Sequence, residues 1–175
     1  KLEEALHQTE IHGIQTNLEY MSEWVSEHWS RTDPVHTRSL ENFSFSPRTV
    51  EVLRAGTQTT VQDFPGRLHY WDVGIPPSGP MDNLSFRLGN RIVGNHHRAA
   101  GLEITAVGPR LRFQQSCMIA ICGASAKVHL NDKPLDFWQA HEVSEGDLLD
   151  LGQVGTHGMR YYLTVSGGLE IPDYL

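Results

Sequence analysis

CMIAICGASAKVHLNDKPL, Cys117 to Leu135, decides how most of this chain folds. Six apolar residues run unbroken from Cys117 to Cys122 and stop at Gly123, which reads as a strand. KVHL, Lys127 to Leu130, is a second short strand, and LNDKPL, Leu130 to Leu135, reads as a hairpin turn. Cys117 and Cys122 stand five apart, so a strand puts them on opposite faces. They make a poor metal pair or local disulfide and read as buried free thiols, which suit a reducing cytoplasm.

Outward from that stretch the short period persists. TVEVL (Thr49 to Leu53), LRF (Leu111 to Phe113), DLLDLG (Asp147 to Gly152) and RYYLTV (Arg160 to Val165) are strand candidates separated by Gly, Pro, Asn and Asp. SEGD, Ser144 to Asp147, reads as a second hairpin turn. One helix interrupts them: Asp82 caps it, Leu84, Leu88 and Ile92 line its buried face, and Gly94-Asn95 ends it. Many short strands with one helix predict a mainly β, barrel-like domain.

Upstream the period changes. Residues 1 to about 31 read as an α/β piece: a helix end at Leu2, Ala5 and Leu6, a strand over Ile11 to Gln15, then a second helix. In that helix Thr16 and Glu19 have capping-box spacing, and Leu18, Met21, Val25 and His28 or Trp29 share one face. Such a piece is too short to hold a core alone. The polar run from Thr32 to Pro47, broken at Asp33-Pro34 and Ser46-Pro47, marks the boundary. KLEEAL at the start and IPDYL at the end read as cuts in a longer polypeptide.

Composition narrows the function. Fourteen basic against 21 acidic residues give a net charge of -7, which offers nucleic acid no basic field. The apolar runs are too short for a membrane span. There is no Walker loop, G-x-S-x-G elbow, H-E-x-x-H or C-x-x-C, and the ten His residues form no metal-ligand pattern. His96-His97, just past the helix, reads as solvated surface.

Residues 56 to 108 are unusual. Gly56, Gly66, Gly74, Gly79, Gly108, Pro65, Pro76, Pro77 and Pro80 build tight loops, and among them sit Gln62, Asp63, Arg67, Tyr70, Trp71, Asp72, Ser78, Asp82 and Glu103. Two readings stand side by side: turn formers shaping barrel corners, or a rigid loop site. SGPMD, Ser78 to Asp82, favours the site. It lies just ahead of a helix N-terminus, where backbone N–H groups and the helix dipole favour an anion such as a carboxylate. Arg67 could add a charge-assisted hydrogen bond. Asp63 and Glu103 could accept N–H bonds from an amide-like or guanidinium-like substrate. An anion beside an N–H-rich small molecule suggests carboxyl transfer to nitrogen.

The stretch from EVLRAGTQTTVQDFPGRLHYWDVGIPPSGPMDNLSFRLGNRIVGN to GLEITAVGPRLRF resembles the carboxyltransferase domain of urea carboxylases. It is similar to the wider family that takes in allophanate hydrolase subunit 2 and a 5-oxoprolinase subunit. ICGASAKVHLNDKPL, EGDLLDLG and YYLTVSGGLEIPDYL carry the resemblance to the last residue. EIHGIQTNLEYM followed by HTRSLENF resembles the C-terminal end of a biotin carboxylase domain, and that order of domains is the urea carboxylase order. The resemblance implies residues 1–45 as the end of a biotin carboxylase domain. Residues 48–175 become the truncated first part of a cyclophilin-like carboxyltransferase domain.

The activity implied is ATP- and biotin-dependent carboxylation of urea to allophanate. ATP and magnesium would act at the biotin carboxylase site, and biotin would ride on a carrier domain, both outside these residues and in the same polypeptide. An allophanate hydrolase would follow in the pathway, in the cytoplasm, and the fragment alone would be inactive. Chemistry then assigns Gln62, Asp63 and Glu103 to the urea side. Arg67, Ser78, Gly79 and the helix N-terminus fall nearer the transferred carboxylate, with Tyr70, Pro80, Met81 and Asp82 completing the substrate-binding loop. Alternatives are an allophanate hydrolase or 5-oxoprolinase subunit, a guanidine carboxylase, and a non-enzymatic regulator that binds a kinase inhibitor. Two positions depart from the family pattern: His69 where many relatives have Gly, and Gly89 where Ala is usual, at a helix cost of about 1 kcal/mol.

Overall fold

Alternating strands form wherever apolar and polar residues take turns, and here they assemble into two facing sheets. The computed structural model describes residues 1–9, 11, 16–28, 38–41, 43–45 and 47–171. The chain divides into two units, Lys1–Arg48 and Thr49–Leu175.

In the first unit, α1 (Leu2–His7) and α2 (Leu18–His28) are the elements among the described residues. Thr16 Oγ1 accepts the Leu18 N–H at 3.3 Å, one residue short of the Glu19 N–H that the expected capping box would use. Glu19 turns elsewhere and accepts the Arg48 N–H at 3.3 Å. Val25 is fully buried, and Tyr20 meets Phe43 and Phe45 edge-on at 5.1 and 5.5 Å. Most of the strand expected over Ile11 to Gln15 lies outside the described residues.

The second unit is built on β1 (Val50–Arg54), β2 (Gln58–Gln62), β3 (Gly101–Thr105), β4 (Arg110–Phe113) and β5 (Cys117–Gly123). They are followed by β6 (Ala126–Leu130), β7 (Lys133–Pro134), β8 (Ala140–Val143), β9 (Leu148–Val154) and β10 (Arg160–Val165), with α3 (Asn83–Ile92) between β2 and β3. Two antiparallel sheets result, in the orders β1-β4-β9-β6-β7 and β2-β3-β10-β5-β8, and neither closes on itself. Leu111, Phe113, Leu149 and Leu151 of one sheet bury against Ile104, Ile119, Ile121, Tyr161 and Leu163 of the other. Each such side chain contributes about 1.5–3 kcal/mol by leaving water. No helix among the described residues is long and apolar enough to cross a membrane.

All the expected strands of this unit form. Asn131 and Asp132 both take positive φ, 48° and 64°, which is what a tight two-residue hairpin loop requires. SEGD is a turn, held by Asp147 N–H to Ser144 O at 3.1 Å, but it is not a hairpin: β8 pairs with β5, while β9 pairs with β4 and β6. It carries the chain from one sheet to the other. β2, β3 and β8 are strands beyond those the sequence pattern announces.

α3 covers the outer face of the second sheet, and its phase differs from expectation. The buried residues are Ser85, Phe86, Gly89 and Asn90, whereas Leu84 is 62% and Leu88 43% exposed. The reason is close approach. A Cβ on Gly89 would stand 3.2 Å from the Thr164 side chain and 3.4 Å from Cys122 Sγ, so only a small residue lets the helix sit this near the sheet. Phe86 meets Tyr162 edge-on at 5.7 Å, and Asn90 Nδ2 donates to Ala99 O at 2.9 Å. A methyl at position 89 would require the Thr164 side chain to give by a few tenths of an ångström.

Candidate functional site

The register of the second sheet sets the site's floor. Thr60 pairs with Glu103, and Glu103 with Tyr162, so these three side chains emerge on one face. Gln62 pairs with Gly101 and therefore shares that face, one diagonal step from Glu103. Its Nε2 donates to Thr60 Oγ1 at 3.0 Å. Asp63, exposed, opens the loop that follows.

Between β2 and α3 the chain crosses itself. Ser78 N–H donates to Arg67 O at 3.2 Å. Arg67 answers with its backbone N–H and its Nε, both donated to Ser78 Oγ, at 3.3 and 3.0 Å. The two passes touch because Gly66 (φ 83°) has no side chain: a Cβ there would overlap the carbonyl of Ser78. Gly79 is equally confined, its hypothetical Cβ lying 2.8 Å from Pro65 O. The Phe64–Pro65 bond is cis. Tyr70, half-buried, precedes the 3-10 turn Trp71–Val73, its carbonyl accepting the N–H groups of Val73 and Ile75.

After the crossing the chain is tied to the sheet. Met81 N–H donates to Glu103 Oε2 at 2.7 Å, and Asp82 N–H donates to Tyr162 Oη at 2.7 Å. The Tyr162 hydroxyl in turn donates to Glu103 Oε2 at 3.0 Å. Arg160 completes the network with its Nε 3.2 Å from Glu103 Oε1, an ion pair only partly exposed. Burial pushes the Tyr162 hydroxyl well above its ordinary pKa, and the neighbouring carboxylates add to this against the Asp82 N–H. Tyr162 therefore stays protonated and able to donate. Asp82 caps α3 as expected, accepting the Ser85 N–H at 3.1 Å and the Ser85 hydroxyl. That hydroxyl is the largest reason its pKa lies below the ordinary aspartate value; burial opposes it, and the Ser85 and Leu84 N–H groups reinforce it.

The structure thus brings Arg67, Ser78, Gly79, Pro80, Met81, Asp82 and Glu103 together, and it changes what two of them do. The sequence suggests a helix N-terminus that offers its N–H groups to a substrate anion. The chain's own Glu103 and Asp82 hold that position instead, using the amides of Met81, Leu84 and Ser85. Glu103, 8% exposed, directs both oxygens inward and acts as a tether for the loop. Tyr162, Arg160 and Ser85 are functional neighbours that sequence reasoning missed. Alternation within RYYLTV does separate Tyr162 from the core-facing Tyr161, but only the sheet register brings it under the loop.

The family described as "Carboxyltransferase domain, subdomain A and B" matches residues 73–175. Urea amidolyase of Lachancea kluyveri is 43% identical over 175 residues, all of this chain and 10% of that protein. With a 5-oxoprolinase subunit, that of Haemophilus influenzae, identity is 32% over 126 residues, 72% of this chain and 40% of that one. The crystal structure of Kluyveromyces lactis urea carboxylase superposes with a TM-score of 0.84 at 43% identity, covering 99% of this chain and 15% of that chain. The chain therefore spans about a tenth of the length of the urea amidolyase it matches.

Proposed function

The chain belongs to the carboxyltransferase domain family, and from that premise we propose that it is part of a biotin-dependent urea carboxylase that moves a carboxyl group from carboxybiotin to a urea nitrogen, giving allophanate. One observation carries this choice. Similarity to the urea amidolyase runs over all 175 residues, whereas similarity to the oxoprolinase relative extends over 126. The additional stretch is accounted for if residues 1–45 close a biotin carboxylase domain that runs directly into the carboxyltransferase domain. ATP, magnesium and the biotinylated carrier then belong to parts of the polypeptide outside residues 1–175, and the enzyme works in the cytoplasm.

Carboxybiotin supplies the carboxyl group when it is delivered. This chain's residues supply position. Arg67, exposed and steered by Ser78, fits an anionic carboxyl group, because a guanidinium donates charge-assisted hydrogen bonds from a fixed plane. Asp63 and the Gln62 side chain, at the end of β2, fit a planar acceptor rich in N–H groups. The crossed loops hold these groups without a large search at the moment of reaction.

The test is ATP hydrolysis and bicarbonate fixation by the full-length polypeptide, with urea, guanidine and 5-oxoproline as acceptors. Urea should stimulate both, and Arg67→Ala should lower kcat/KM for urea roughly tenfold or more, given about 1.5–3 kcal/mol for a hydrogen bond to a charged group. Stimulation by 5-oxoproline with none by urea would overturn the proposal.

A further inference from the structure

From Asn83 to Leu102 the chain contains no Asp or Glu, although it holds 21 of them overall. The same stretch carries Arg87, Arg91, His96, His97 and Arg98, and the fold gathers them. Arg87 and Arg91 stand one turn apart on α3. The Arg87 guanidinium lies over the Phe64 ring, 4.7 Å from its centroid. His97 stands 6.0 Å from the same ring and 4.3 Å from His96.

The turn that carries the histidines is fixed from beneath. Buried Asn95 donates to Asn90 Oδ1 at 2.9 Å and to Val165 O at 2.7 Å, and it accepts the Gly167 N–H at 2.8 Å. Asn90 holds the far end through Ala99 O. Above this base, Ala99 N–H donates to His96 O at 3.0 Å. The two imidazoles and Arg98 are therefore carried on a turn held by these hydrogen bonds.

No carboxylate among the described residues neutralises them. The ion pairs there join Arg38 to Glu41, Arg54 to Asp150, Arg112 to Glu51 and Arg160 to Glu103; none involves Arg87, Arg91 or Arg98. Arg87 Nε is buried and has no hydrogen-bond partner among the described residues. The C-terminal end of the α3 dipole accounts for one cation, Arg91, and leaves the others unexplained.

We infer that Arg87, Arg98, His96 and His97, around Phe64, form an oxyanion-binding site that takes a phosphate or a carboxylate, separate from the Arg67–Ser78 crossing. Phe64 connects the two. It lies two residues before Gly66, at most about 7 Å away along the chain, so an anion seated on the cluster bears on the loop that forms the crossing. The inference does not depend on which carboxyl acceptor the enzyme uses.

The test is a nuclear magnetic resonance titration of the intact 175-residue chain with inorganic phosphate and, separately, with malonate, against chloride at equal ionic strength. Saturable shifts at His96, His97 and Arg98 are expected with one or both oxyanions, and the arm that saturates identifies the chemistry. Arg98→Gln, at an exposed position, should weaken binding about tenfold, in line with a hydrogen bond to a charged group, and Arg87→Gln at least as much. The His97 imidazole is held below its ordinary pKa, first by burial and then by His96, Arg87, Arg98 and Arg91. A bound anion should move its titration to higher pH. Shifts no larger than those from chloride, or equal binding by the Arg98→Gln protein, would overturn the site.

Discussion

Gly66→Ala tests whether the loop crossing is the structural basis of the candidate site. Two costs arise at this position. At φ 83° the new methyl enters a left-handed conformation, costing about 1–2 kcal/mol. The methyl also meets backbone, namely the carbonyl of Ser78 and the Cα of Gly79, and backbone has no rotamer with which to move aside. The passes must separate, which costs about 1–3 kcal/mol as overpacking and strains the three hydrogen bonds joining Arg67 to Ser78.

The total is about 2–5 kcal/mol. Gly74 is the internal control. Its φ is 77°, but an added Cβ would meet nothing within 4 Å, so Gly74→Ala carries the conformational cost alone. Chemical denaturation followed by circular dichroism should place Gly66→Ala at least 1 kcal/mol below Gly74→Ala, and thermal melts should separate them by roughly 2–4 °C per kcal/mol. Equal stabilities for the two variants would refute the close pass, and with it the geometry that aims Arg67 at Ser78.

Two further outcomes follow from the tether. Tyr162→Phe leaves the Asp82 N–H without its acceptor and Glu103 Oε2 without one of its donors, and should cost about 1–3 kcal/mol; a double-mutant cycle with Glu103→Gln should give a coupling above about 0.5 kcal/mol, and additivity would separate the two residues. Asp82→Ala removes the α3 cap at a cost of about 1 kcal/mol at neutral pH. Because the folded pKa of Asp82 lies below its ordinary value, this contribution is full above the unfolded value and is lost as pH falls through the folded one. The variant and the parent should therefore converge in stability in acid, and a gap that persists there would contradict the cap.

How much of this was legible in the sequence depends on whether the deciding contact is local. Cys117 to Cys122 and Asn131-Asp132 declare themselves, because strand period and turn chemistry are properties of neighbouring residues. Asp82 announces its cap for the same reason. The phase of α3 does not follow from its leucines. Leu84, Leu88 and Ile92 repeat at helical spacing, yet the sheet accepts Gly89, because the demand for a close approach comes from Thr164 and Cys122, far along the chain. QTTVQ offers β-branched Thr59, Thr60 and Val61 but a single apolar residue, so no alternation marks it, and it forms a strand paired with β3. His69 has φ 68°, a left-handed conformation that favours Gly and that the residue type alone does not announce.

That most of these residues gather around one loop crossing was legible in the sequence and their hydrogen-bond partners were not, and counting hydrogen bonds explains the difference. An ionised carboxylate has about four acceptor positions. Glu103 commits Oε2 to the Met81 N–H and the Tyr162 hydroxyl and sets Oε1 in an ion pair with Arg160, and Asp82 commits its own oxygens to Ser85 and Leu84. Glu103 and Asp82 are therefore absorbed in making the loop rigid. Asp63 is exposed, four residues before an Arg67 that Ser78 orients. On the carboxyltransferase reading, substrate contact then concentrates on Gln62, Asp63 and Arg67, at the junction of β2 with the loop. Glu103 and Asp82 act one step back, as positioning residues whose loss displaces Ser78 before it alters any contact with substrate.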